Sequence, residues 1–371
     1  MNEYERRLQR FARESCEKEF STRSSSKANS RNGTPSPAPA PVAVAASIPQ
    51  IHPPANSLCF ATVDVFTTTI FKGNQLAVIQ LPIGYNPTQE TKQMIAREFN
   101  FSETVFLYPS VPGLDSERRL SIFTTAAELP FAGHPVIGAV CHICQHLEPE
   151  INQVTLSCLA GPIKARYKRT ESIAEVDIPH DVRIHRLPVN GRAVLENQTY
   201  LARTAVITSE LPVVSIVKGM TFILIMLPSI VPHLEKLEPG AIGVDTTSVQ
   251  LDEHYSPSFV GCYFYAIASH PNSRITKVRT RMLESGIGED AATGSAACTL
   301  ACFLALQDGK QGNAYQYLIE QGVEMGRASE IHVIVTLGSM GRSVHSVVLA
   351  GRAVLVTQGT LHLPETPFSK A

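Results

Sequence analysis

One pattern occurs twice in this chain. Residues 119–147 and 280–306 run through the same order: a short strand, an acidic position, a turn of small residues, then a helix of small apolar residues. In the first copy the acid is Glu128 and the turn is Ala132–Pro135; in the second the acids are Glu289 and Asp290 and the turn is Ala291–Ser295. The two copies start about 160 residues apart, roughly one domain length. The repeat implies two related halves, each presenting a helix N-terminus. Facing N-termini would focus backbone N–H groups and positive dipole ends on a shared cleft, which suits a carboxylate.

Along the chain the pattern is mostly short strands. Apolar or alternating runs predict strands at 58–65, 76–81, 104–108, 119–123, 153–158, 163–167, 174–178, 204–207, 221–227, 262–268, 332–336 and 343–349. Thr88 is placed to cap a helix running to Phe99, and a second helix fits 136–147. Strict strand–helix alternation is missing, so the fold class is α+β. Before residue 57 the chain is rich in Ser, Pro and Ala, with too few large apolar groups to offset the entropy of ordering it. Residues 1–56 therefore read as a disordered tail.

Composition removes several functions. A net charge of −1 gives no general attraction to nucleic acid or anionic lipid, and with no Trp there is little for bases to stack on. No apolar run reaches the ~20 residues that span a bilayer. The start of the chain mixes Arg and Lys with Glu and lacks the apolar core of a signal peptide. The eight cysteines sit mostly in apolar runs, as buried reduced thiols do. The expectation is a cytoplasmic protein with a small-molecule ligand and neither a nucleic-acid nor a membrane partner. Cys141, His142, Cys144 and His146 lie close in sequence, but helical spacing spreads them around an axis, and Cys298 with Cys302 supplies only two thiols. No metal site is expected.

Several positions fit chemistry, each with a plainer alternative. Glu103, flanked by Phe101 and Val105, fits a partly desolvated general acid–base or a solvated loop carboxylate. His134, between Gly133 and Pro135 at a helix start, fits a substrate donor or a turn cap. Asp290 fits a ligand-facing acid or an N-cap, and Gly294 and Ser295 allow a ligand close to backbone N–H groups. Gly73 and Asn74 fit a turn between strands.

Five phrases, in order, resemble the phenazine biosynthesis PhzF-like family: VDVFTTTIFKGNQLAV (63–78), MIAREFNFSETVF (94–106), ELPFAGHP (128–135), GIGEDAATGSA (286–296) and QGVEMGR (321–327). The resemblance implies the diaminopimelate-epimerase-like fold: two pseudo-symmetric domains, each a sheet wrapped around a central helix, with the active site in the cleft between them. The halves would be 57–170 with about 352–362, and 171–351. It implies a cofactor-free isomerase that shifts a proton on a small cyclic carboxylic acid, and a homodimer. Glu103 would be the acid–base; Gly73, Asn74, Gly133, His134, Asp290, Thr293, Gly294 and Ser295 would bind substrate. Gln75 and Ala291 stand where the family usually has Pro. Neither motif holds a cysteine, so a two-cysteine racemase is disfavoured; the remaining alternative is a binding protein that keeps the fold without turnover.

Overall fold

The computed structural model describes residues 56–364 except 112, 205–209, 241, 243, 269–273, 285–287 and 311. The expected tail, apart from Asn56, lies outside the described residues, as do residues 205–207 of one expected strand.

Eighteen of the described strands join one mixed sheet, and Val189–Asn190 pairs with Glu210–Leu211 in a separate ribbon. Strand Ser57–Val65 lies between Asn74–Gln80 and Ala353–His362, antiparallel to both, so the last strand of the chain closes on the first. Asn74–Gln80 pairs in parallel with Glu103–Val111, with Leu76 opposite Glu103. Further along, Met220–Met226 and Phe259–Ile267 are parallel neighbours, as are Ile275–Glu284 and Ala314–Gln321.

Five α-helices are described. Helix α1 (Gln89–Phe99) begins as expected: Thr88 Oγ1 accepts from Thr91 N at 3.1 Å, satisfying one of the first-turn donors. Asn100, with φ 53°, ends it and turns the chain toward Glu103. Helix α2 (Gly133–His142) is buried along its whole length, and the π-helical turn Ile143–Leu147 extends it. The short α3 (Gly191–Leu195) and α4 (Thr199–Thr204) carry no clear period. Thr204 therefore ends a helix rather than opening the expected strand. Helix α5 (Gly294–Asp308) is again mostly buried and ends on Gly309 at φ 65°.

Helices α2 and α5 are apolar around their whole girth because sheet packs on them from several sides. Strands 57–65, 74–80, 103–111, 161–168, 173–177 and 353–362 contact α2, while 213–217, 220–226, 314–321 and 329–337 contact α5; 344–351 touches both. Small residues allow the approach: a Cβ on Gly138 would sit 2.5 Å from Leu76 Cδ2 and 2.8 Å from Val65 Cγ2. Both helices belong to one apolar core with Ile137, Val140, Leu300 and Ala301. No helix among the described residues is long and apolar enough to cross a membrane.

Candidate active site

Two short polar segments arrive at one cavity from distant parts of the sequence. Glu103 is the first residue of its strand, placed there by the end of α1, and its side chain is only 16% exposed. That excludes the solvated-loop alternative. His134, the second residue of α2, is buried, and its Nε2 lies 3.4 Å from Glu103 Oε2. At this separation the pair is longer than a well-formed hydrogen bond. Neither of the two atoms has a hydrogen-bond partner in the protein, although both are buried. Two unpartnered polar atoms of cavity-lining residues have hydrogen-bonding capacity that the protein itself does not use.

Burial sets their protonation. It pushes the Glu103 carboxyl up to about 7, against a weaker opposing hydrogen bond from Ser102. It pulls the His134 imidazole down to about 4, against the Asp290 charge and a backbone contact with Gln75. Near neutral pH the imidazole is thus uncharged, and Glu103 sits at its own midpoint, where it can both take and return a proton.

Asp290 differs from Glu103 in its hydrogen-bond partners. Asn74 Nδ2 donates to its Oδ1 at 3.0 Å and Thr293 Oγ1 to its Oδ2 at 2.5 Å. Burial raises this carboxyl too, and the Glu103 charge adds to the rise, while the Thr293 hydrogen bond opposes it. Two donors on its two oxygens oppose that rise, and Glu103 has no such pair. Asp290 is not the helix cap, because Thr293 holds that position.

Gln321 fixes this arrangement, and no role was assigned to it from the sequence. Its Oε1 accepts from the Thr293 backbone N–H at 3.2 Å, so its Nε2 must be the atom that donates to Asp290 O and to Thr293 Oγ1, both at 2.9 Å. With an amide proton already aimed at it, the Thr293 hydroxyl turns its own proton to Asp290. Tyr263, fully buried, supports the amide from behind with its OH 3.0 Å from Gln321 Oε1. The only sequence signal was the position of Gln321 at the head of the QGVEMGR phrase.

The N-termini of α2 and α5 meet at this point. A Cβ on Gly133 would fall 3.6 Å from the Gly294 Cα and 2.8 Å from Leu349 Cδ2. Neither N-terminus has a side-chain cap, so first-turn N–H groups of both helices remain for a ligand. The cavity has a volume of about 720 Å³; Glu103, Gly133, His134, Asp290, Thr293, Gly294 and Ser295 all line it.

Gly73 and Asn74 are not on that wall. Asn74 acts through Asp290, as described. Gly73 has φ +68°, a Cβ there would be 2.2 Å from Val65 O, and its carbonyl accepts from Arg327 Nε at 2.8 Å. It holds a turn. Cys298 does line the cavity, but burial drives its thiol well above the ordinary range, and no second cysteine opposes it on the described wall. His142 lies 3.1 Å from Gln80 Nε2 and Cys141 contacts Gly351 O, so both are engaged in packing around α2. Among the described residues no three His, Cys, Asp or Glu side chains gather as a metal set.

Residues 63–359 match the family model described as phenazine biosynthesis-like protein. This chain belongs to that family. An uncharacterized isomerase of Mesorhizobium japonicum is 30% identical over 81% of this chain and 97% of its own. The trans-2,3-dihydro-3-hydroxyanthranilate isomerase of Pseudomonas chlororaphis is 29% identical over 82% of this chain and 99% of its own. A PhzF-family protein of Bacillus anthracis has the same fold, with a TM-score of 0.63 at 18% identity over 83% of this chain and 99% of that one. The named enzymes among these relatives are isomerases, and this PhzF-like chain is an enzyme of that class.

Proposed function

We propose that this isomerase shifts a proton on a small cyclic carboxylic acid, with Glu103 as the general acid–base and no cofactor in the proton transfer. The observation that carries the reading is the pair of orphaned polar atoms, Glu103 Oε2 and His134 Nε2, facing each other across a cavity wall. The substrate carboxylate is assigned to the uncapped N–H groups at Gly133 and at Gly294–Ser295. Ionised Glu103 takes a proton from a ring carbon, the electron pair moves through the adjacent double bond, and the protonated Glu103 returns the proton to the far carbon. Neutral His134 and Asp290 hold the polar substituents and steady the charge that develops between the two steps.

The reading includes two halves, 57–170 with about 352–362 and 171–351, which together form this site. The closure of Ala353–His362 on Ser57–Val65 supports the return of the chain to its first half, and the two buried helices support the internal repeat.

Turnover tests it. Incubated in deuterium oxide with a panel of unsaturated cyclic carboxylic acids, the protein incorporates deuterium into at least one of them. Saturable binding of these acids with no incorporation into any would instead support the binding-protein reading.

A further inference from the structure

A second polar feature reaches the same cavity. His185 and Ser215 are buried and lie with Nε2 and Oγ 2.8 Å apart; Ser215 Oγ is 2.6 Å from Thr221 Oγ1, which is 2.7 Å from Ser258 Oγ. The line crosses neighbouring strands of the sheet: Ser215 pairs with Thr221, and Thr221 with Val260. Ser215 and Thr221 are fully buried. The line ends at Ser258, which lines the cavity.

The hydrogens along this line have a single direction. The Asp252 backbone N–H, which can only donate, is 3.0 Å from His185 Nδ1, so that nitrogen carries a lone pair. A ring with one bare nitrogen must hold its proton on the other, so Nε2–H donates to Ser215. Burial keeps the ring below its usual range, which favours this neutral form. Ser215 then donates to Thr221, and Thr221 to Ser258. Ser258 is left with one lone pair occupied and its proton to give. In the structure that proton goes to the carbonyl of the next residue, Phe259, at 2.9 Å. Each donation polarises the next, so the last hydroxyl is a stronger donor than an isolated serine.

A cationic residue lines the same cavity. Lys218 is the one Lys or Arg among the described residues of the cavity wall. The Lys218–Gly219 turn is tied to the Ser258 segment by Phe259 N donating to Gly219 O at 3.0 Å. The Lys218 ammonium lies 5.9 Å from the centre of the Tyr255 ring, and that ring packs edge-on against His185.

We infer that Ser258 Oγ–H and the Lys218 ammonium form a second subsite for a carboxylate, so that the substrate is a dicarboxylic acid rather than a monocarboxylic one. This rests on the reading that the first carboxylate sits at the N-termini of α2 and α5. His185, Ser215 and Thr221 are positioning residues that act through Ser258.

The test measures calorimetric binding of benzoate, phthalate, isophthalate and terephthalate, which place a second carboxylate at three spacings from the first. At least one diacid is expected to bind about tenfold or more tightly than benzoate. Ser258→Ala and Lys218→Gln, both at solvent-accessible positions, bring that ratio toward one while benzoate affinity holds. Thr221→Val does not reach the cavity, and it lowers the ratio with Ser258 in place; a packing defect would weaken benzoate and diacid together and leave the ratio unchanged, removing the relay from the account. Equal binding of benzoate and all three diacids, or a preference untouched by both wall variants, overturns the second subsite and leaves the first intact. No saturable binding of any of the four overturns both.

Discussion

Asn74 Nδ2 lies 3.0 Å from Asp290 Oδ1, although 216 residues separate them in sequence. The same amide nitrogen also donates to Ala292 O at 2.9 Å, and Ser102, the neighbour of Glu103, is 3.4 Å from Asn74 Oδ1. One side chain thus ties the start of the Glu103 strand to the start of α5. Glu103 and Asp290 keep their relation because Asn74 joins the segments that carry them.

The hydrogen-bond directions around Asp290 predict a coupled pair. Thr293→Val removes a donor from Asp290, and Gln321→Leu removes the amide that aims the Thr293 hydroxyl. Each change raises the Asp290 titration midpoint, read by carboxyl NMR, and the double variant shows no more than the Thr293→Val shift. Glu103 and His134 face Asp290 in every variant, so their influence is common to all of them. Leaving the buried partners of Gln321 unpaired also costs about 1–3 kcal/mol of stability. An Asp290 midpoint unmoved by Gln321→Leu would contradict the assignment.

Glu103 predicts a stability that falls with pH. Its folded midpoint, about 7, lies above the ordinary value of 4.5. Below the ordinary value the acid is protonated in both states, and nothing is lost. Between there and about 7 the unfolded chain releases the proton while the folded one holds it, so stability drops. In urea unfolding, Glu103→Gln is therefore more stable than the native chain at pH 8 by about 3 kcal/mol and nearly equal to it at pH 4. Parallel stability curves would mean that the carboxyl is not desolvated.

The contact between helix N-termini predicts a steric cost at Gly133. A Cβ there meets Leu349 Cδ2 at 2.8 Å, and Leu349 is fully buried. Gly133→Ala costs about 1–3 kcal/mol, and Leu349→Val in the same chain recovers part of the loss in thermal unfolding. No recovery would mean that the strain lies in the backbone.

Much of this arrangement was legible in the residues. Thr88, the apolar runs and the small-residue helices each follow a local rule, and their bounds moved by one or a few residues. The strand Ile275–Glu284 was only partly visible, because Arg279 and Arg281 interrupt its apolar run. Arg281 is in fact buried on Glu289 and on the carbonyls of Leu234 and Leu237. Val213–Val217 and Ala314–Gln321 were missed as strands, and the short α3 and α4 had too few turns to show a period. At the site, Glu103, His134 and Asp290 stood in recognisable phrases. Gln321 did not stand out, because a buried glutamine has no pattern in sequence; its role exists only in the partners that folding brings to it. Gly73 was placed with the substrate by its phrase, but its backbone angle is required by the turn.

The measurement that bears most directly on the mechanism compares the native chain with Glu103→Gln for solvent deuterium incorporation into the same cyclic acids, at matched binding saturation. The account predicts incorporation by the native chain and a loss of about a hundredfold or more in Glu103→Gln. Undiminished incorporation by Glu103→Gln would show that another group moves the proton.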